Sequence, residues 1–271
     1  MLFRSGIITT LYFISSASII LAGSGALIHQ FFGIPKIIGT LIMLCISLFF
    51  LLRGTEGLIE VNSFIVPGLI LTISLITTLY IAFGNDVMTI DNIIHAPAKK
   101  SGVFISTLLY SGYNILCSSG VLVPLSTKMK KSKTMIIGIV LGALGLTFLS
   151  LAINSLLLIN QPYIYEYEIP LLFIAQRFGP IVQAILSMII LLEMFSTEVS
   201  DVYSIGKTLE QTFKIKFNLG IVIVLAIALP ISQIGFGALI STLYPMFGCL
   251  SLIFITQCII FYFKHRKEMT N

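Results

Sequence analysis

The sequence has no tryptophan, only three histidines, and charge on just 10% of its 271 residues. Each scarcity excludes something. A soluble domain carries roughly 25% charged residues, so this chain cannot build an ordinary water-facing surface. Without tryptophan, an aromatic belt at a membrane interface falls to the ten tyrosines. His29, His95 and His265 all lie near the ends of apolar runs and show no metal-binding spacing. Cys45, Cys117, Cys249 and Cys258 sit singly in apolar runs, with no C-x-x-C pair. They read as small buried residues rather than disulfide partners or metal ligands. No H-E-x-x-H, G-x-S-x-G or phosphate-binding glycine loop occurs, so nothing supports hydrolytic or redox chemistry. The expectation is a protein that is not an enzyme and takes no cofactor or metal.

Hydrophobic residues make up 57% of the chain, and the mean hydropathy is +1.04. Eight apolar segments are long enough to cross a membrane, where about 20 helical residues suffice. They run approximately over 6–28, 36–53, 64–83, 103–125, 134–158, 180–204, 218–236 and 239–263. This reads as an all-α polytopic helix bundle, one integral membrane domain over residues 1–271. The first apolar run outlasts the hydrophobic region of a leader peptide, so it reads as a spanning helix.

The net charge of +5 would point to nucleic acid in a soluble protein. Here the charge sits in short loops, and membrane topology explains it better. With the N-terminus inside, the inner face carries 12 of the 16 Lys and Arg, leaving Lys36, Lys99, Lys100 and Arg177 outside. That places the chain in a bacterial inner membrane with both termini cytoplasmic. The lipid bilayer is its first partner and nucleic acid is not one. The basic loop Lys128 to Lys133 is a topology determinant.

Two outer loops stand out, Gly84 to Gly102 and Asn160 to Gly179. Within the second, Ile169 to Phe178 is apolar but too short to span. It reads either as a helical plug in the outer face or as an interfacial turn anchored by Tyr163, Tyr165 and Tyr167.

The candidate site lies in the sixth span. A carboxyl deep in a membrane costs on the order of a few kcal/mol and marks a functional position by default. Glu193 is such a group, and Thr197, Ser200 and Ser204 share its helix face. Glu193, with Ser196 and Thr197, is the candidate ion-coupling site, able to carry H⁺ or bind Na⁺ beside the hydroxyls. The alternative is a Glu neutralised by hydrogen bonds within the bundle. Glu198 and Asp201, nearer the inner end, are expected to face a solvated vestibule. The fourth span is unusually polar, with Gly112, Tyr113, Asn114 and Ser118 in its middle. A helix break at Gly112 to Asn114 would expose backbone groups to a polar solute. The alternative is a continuous helix whose small residues pack closely. Ala22 to Ala26, all small, predicts close packing of the first span. Gly54 to Pro67 reads as a short cytoplasmic helix ahead of the third span, and Pro245 as a kink in the last.

Several runs together resemble a known family. They are LAGSGALIHQFFGIPKIIGT, GLIEVNSFIVPGLI, YSGYNILCSSGVLVPL, EIPLLFIAQRFGP, MFSTEVSDVYSIGKTLE and LYPMFGCLSL. In that order they resemble the YkvI-like membrane proteins, which are placed with the amino acid–polyamine–organocation transporters of LeuT-type fold. The resemblance implies ten core helices in two inverted halves, with broken helices 1 and 6. The polar fourth span would be core helix 6, the first three spans helices 3 to 5, and the last four helices 7 to 10. Core helices 1 and 2 then have no counterpart. The resemblance therefore implies an N-terminally incomplete chain, or one piece of a split transporter whose missing helices come from a partner. It also places Ser196 and Thr197 on the helix whose hydroxyls complete a sodium site. The function implied is an ion-coupled secondary transporter of a small polar solute, amino-acid-like in character. The rival is a non-transporting receptor or scaffold that keeps the fold.

Overall fold

The structure is a computed structural model that describes residues 2–53, 58–83, 102–128 and 132–269. The outer loop over 84–101, Glu56, and Lys130 and Lys131 of the basic loop lie outside the described residues. Among the described residues there is no strand. The helices are α1 (Leu2–Phe32), α2 (Lys36–Arg53), α3 (Leu58–Phe83), α4 (Val103–Lys128), α5 (Ser132–Ile159), α6 (Pro170–Gln176), α7 (Pro180–Phe213), α8 (Phe217–Ser232) and α9 (Phe236–Met269). A 3₁₀ turn covers Tyr163–Glu166. Helix is the expected answer for an apolar chain in lipid, because each segment must satisfy its own backbone groups. Among the described residues, six helices are long and apolar enough to cross a membrane: α1, α2, α3, α5, α7 and α9. The apolar α8 has 16 residues and is shorter than those six.

Three expectations about helix ends and breaks are corrected. The fourth span is not broken: α4 winds without interruption through Gly112, Tyr113 and Asn114. The third span has no separate helix before it, since Leu58–Phe83 is one helix with Pro67 inside. A proline costs one ladder bond, and membrane helices tolerate that when neighbouring groups re-satisfy the backbone. The sixth span does not end at 204; α7 runs to Phe213 and stops at Lys214, whose φ of 59° is left-handed. Pro245 likewise lies inside α9.

The chain divides into two compact units, Met1–Ala96 with Leu146–Ala238, and Pro97–Gly145 with Leu239–Asn271. In the first unit α7 is the hub, and α1, α2, α3, α6 and α8 all pack on it. α1 runs antiparallel to α7. Ser24 of α1 meets Met194 at 3.6 Å, and Ser16 meets Asp201 further down. The small residues Ala22 to Ala26 are all buried. They let α2 approach: a Cβ on Gly25 would collide with Thr40 Oγ1 and lie 2.7 Å from the Lys36 carbonyl. Thr40 also donates across the gap to the Leu21 carbonyl at 3.3 Å.

α6 is the plug, not an interfacial turn. Leu172, Ile174 and Ala175 are fully buried in the core of this unit. Gln30 of α1 secures its start twice, donating to the Ile169 carbonyl at 3.0 Å and accepting from the Ile169 N–H at 3.1 Å. Arg177 closes its end, donating to the Tyr80 hydroxyl at 2.8 Å and to Asn160 Oδ1 at 3.3 Å. Tyr80 itself donates to Asn160 Oδ1 at 2.9 Å. Lys36 pairs with Glu168 at 2.9 Å. Tyr163 and Tyr165 stay exposed, while Tyr167 stacks on Phe173 with centroids 4.5 Å apart.

In the second unit, α4 and α9 cross at glycines. A Cβ on Gly248 would lie 2.5 Å from the Leu109 carbonyl oxygen, and one on Gly112 would lie 2.6 Å from Ser251 Oγ. Here the close-packing alternative holds and the break does not. Tyr113 stacks on Tyr244 at 4.4 Å, with Tyr110 tilted against the same ring at 6.2 Å. The expectation of buried cysteines is also corrected for three of the four, the side chain of Cys117 lying outside the described residues. Cys45, Cys249 and Cys258 are free and lie at the protein surface. A thiol behaves as a small hydrophobe, and in lipid an apolar side chain gains little by turning inward.

Candidate functional site: a buried carboxyl pair on α7

The buried stripe of α7 passes through Glu198. Ser187, Met194, Glu198, Val202 and Ile205 are all buried. They recur at steps of seven, four, four and three, which is one helix face. Glu198 sits in the middle of that stripe with 0% of its surface exposed. Neither of its carboxyl oxygens has a hydrogen-bond partner among the described residues. Glu198 is the nineteenth residue of a 34-residue helix, near its midpoint.

Asp201 lies one turn further on, a spacing that makes the two side chains neighbours. It is partly exposed, yet its Oδ2 is buried and has no partner. The Ser16 hydroxyl of α1 hydrogen-bonds the Asp201 carboxyl. The reading of Glu198 and Asp201 as lining a solvated vestibule is therefore corrected for Glu198. The reason is the added length of α7: its inner turns carry Glu198 away from the helix end and into the seam against α1.

Glu193 is half-buried and on a different face, five residues from Glu198. Of its neighbours, Ser196 is buried at 2% exposure and Thr197 is half-buried. All three belong to the first unit. Gly112, Tyr113, Asn114 and Ser118 belong to the second. There, Gly112 is used up in the crossing with α9 and Tyr113 in the ring stack. Asn114 donates to the Tyr110 carbonyl at 2.8 Å, and Ser118 to the Asn114 carbonyl at 2.7 Å, both on exposed positions. Those bonds tie the two polar side chains to their own helix.

Other hydroxyls are buried in the same unit. Ser18 and Ser24 are fully buried and donate to carbonyls one turn back, at 2.7 and 2.8 Å. Ser47 on α2 and Ser187 on α7 are buried hydroxyls with no partner. A buried carboxyl with free lone pairs binds a positive charge or a proton, since isolated charge in a dry interior is prohibitively costly. Among the described residues, no group of three or more His, Cys, Asp and Glu is placed to hold a metal ion.

The fold and this pair define a multi-pass helical membrane protein that carries an ionisable site inside one of its units. More particularly, the chain belongs to the YkvI family. It is 30% identical over 247 residues to the "Uncharacterized membrane protein YkvI" of Bacillus subtilis (strain 168), covering 88% of this chain and 67% of that protein. It is 21% identical over 251 residues to the "Uncharacterized protein YyaD" of the same organism, covering 93% of this chain and 72% of the relative. No family model matches the chain, and no solved structure matches it.

Proposed function

We propose that the protein is an ion-coupled secondary transporter of a small polar solute of amino-acid character. The observation that carries this reading is Glu198, fully buried and unpartnered in a helix long enough to span the membrane. Such a group is expensive, and ion and proton pathways are where membrane proteins retain it. The proposal keeps eight spans, counting α4 and α8 with the six helices named above, and a LeuT-type arrangement. It keeps the bacterial inner membrane and cytoplasmic termini, on the distribution of Lys and Arg. Solute passes without chemical change and without a cofactor. Tyr113, Asn114 and Ser118 are the candidate solute contacts, through side chains rather than backbone, because α4 is continuous.

The test is uptake of a radiolabelled amino-acid mixture into proteoliposomes containing the full chain, under an imposed H⁺ or Na⁺ gradient. Gradient-driven accumulation that collapses with an ionophore supports transport. Solute binding without accumulation under either gradient would favour the receptor or scaffold reading instead.

A further inference from the structure

Three features of the first unit converge on one place. Glu198 is sealed with both carboxyl oxygens free. Asp201, one turn nearer the end that carries Lys207 and Glu210, is partly exposed. Ser16, from a second helix, holds the Asp201 carboxyl. We propose that Glu198 is a proton-carrying site and that Asp201 is its relay to water at that end of α7. The assignment rests on the transporter reading for its purpose, but not for its test.

The occupant follows from the ligands on offer. A hard cation such as calcium or magnesium takes about six or more oxygens. The two carboxyls and the Ser16 hydroxyl offer five. The backbone cannot complete the shell, because α1 and α7 are uninterrupted here and their carbonyls belong to the helical ladder. A proton needs one oxygen. Ser16 donates to Asp201, which leaves Glu198 as the carboxyl with no donor and the natural seat for the proton. In the loading step Glu198 starts as the carboxylate after releasing its proton: the O–H bond of a protonated Asp201 breaks and an O–H bond forms on a Glu198 carboxylate oxygen. Asp201 is left as the anion, held by Ser16, and regains a proton from water.

Among the described residues, no cation pairs with Glu198 or Asp201. The other titratable groups on the elements packed against α7 are Arg4, Tyr12 and His29 on α1, Lys36, Cys45 and Arg53 on α2, and Glu60 and Tyr80 on α3. α6 and α8 carry none. Arg53 lies over the Phe49 ring at 4.4 Å, and Lys36 is paired with Glu168. On α7 itself, Lys207 is paired with Glu210 at 2.8 Å.

Infrared difference spectroscopy of the full chain in lipid vesicles tests this without any solute. The carbonyl stretch of a protonated carboxyl is read as pH is stepped, with isotope-labelled glutamate to separate Glu from Asp. The expected result is a protonated glutamate band that is lost in Glu198→Gln and unchanged in Glu193→Gln. Asp201→Asn should slow the exchange of that band with bulk deuterium at least tenfold, and Ser16→Ala should shift its titration. Sodium chloride in place of potassium chloride should leave the band where it is. A band that survives Glu198→Gln, that follows Glu193, or that sodium abolishes would overturn the assignment. Should Glu198→Gln fail to fold, the Asp201 and Ser16 variants decide it: no change in rate and no shift would also overturn it. Absent solute uptake with an intact band would defeat only the transport reading.

Discussion

The two units solve the same solvent problem differently. The first buries Glu198 fully and Asp201 in part on α7, and bonds the exposed Arg177 to Tyr80 and Asn160 over the plug. The second has no acidic residue in its helices before Glu268. Its polarity is spent on stacked tyrosines, on hydroxyls bonded to their own helix, and on a glycine crossing. A groove in it, lined by Ile115, Phe254, Cys258, Ile259 and Tyr262 among others, is almost wholly apolar. The difference teaches where specificity resides. Lipid offers no hydrophobic drive for helix association, so close packing and internal hydrogen bonds must supply it. The second unit relies on packing, and the first adds buried polar bonds.

The sharpest way to test that division is to overfill the crossing. Gly248→Leu drives a side chain into the Leu109 backbone, which cannot move aside as a flexible side chain can. A loss of about 3 kcal/mol or more is expected, at or beyond the upper range for overpacking. Thermal unfolding in detergent measures it, and hydrogen exchange should show the loss in α4 and α9 while α7 stays protected. Equal loss of protection in α7 would mean that the two units do not act separately.

A smaller effect is expected at the plug. Arg177→Ala removes two hydrogen bonds from a charged donor, at a cost of about 2 kcal/mol. Hydrogen exchange across Leu172 to Gln176 should accelerate, with the α4–α9 crossing untouched. Unchanged exchange in α6 would show that apolar burial alone holds the plug. The smallest effect is expected from Lys36→Ala. Its partner Glu168 is reached at a half-exposed surface, so the loss should stay below about 1 kcal/mol and shrink further in high salt. A larger, salt-insensitive loss would put that pair among the structural bonds of the first unit.

Much of the fold was legible because apolar length is a direct signal. The apolar runs at 36–53 and 103–125 coincide with helices α2 and α4 to within a few residues. The close approach of Ala22 to Ala26 was legible too, since a run of small residues permits little else. The apolar length of Ile169 to Phe178 ruled out a span, but only burial told plug from surface turn. The sequence does not rank the two glutamates. The five residues before Glu193, Met188 to Leu192, are wholly apolar, and the polar turns from Thr208 to Phe213 do not announce how far α7 continues. The full burial of Glu198 is visible only in the packed structure. The break in α4 was misread for a related reason: glycine both interrupts helices and lets them touch, and the sequence does not say which.

The amino-acid order by itself determined that this chain forms long helices in lipid, where they start, and that ionisable groups lie inside them. Backbone hydrogen bonding leaves an apolar chain in lipid little alternative to helix. Which face of each helix turns inward was decided only by tertiary packing. In water, hydrophobicity marks the buried face; in lipid both faces are apolar, and periodicity falls silent. The packing of α7 against its neighbouring helices, rather than any local pattern, made Glu198 the interior residue and left Glu193 at the half-buried edge.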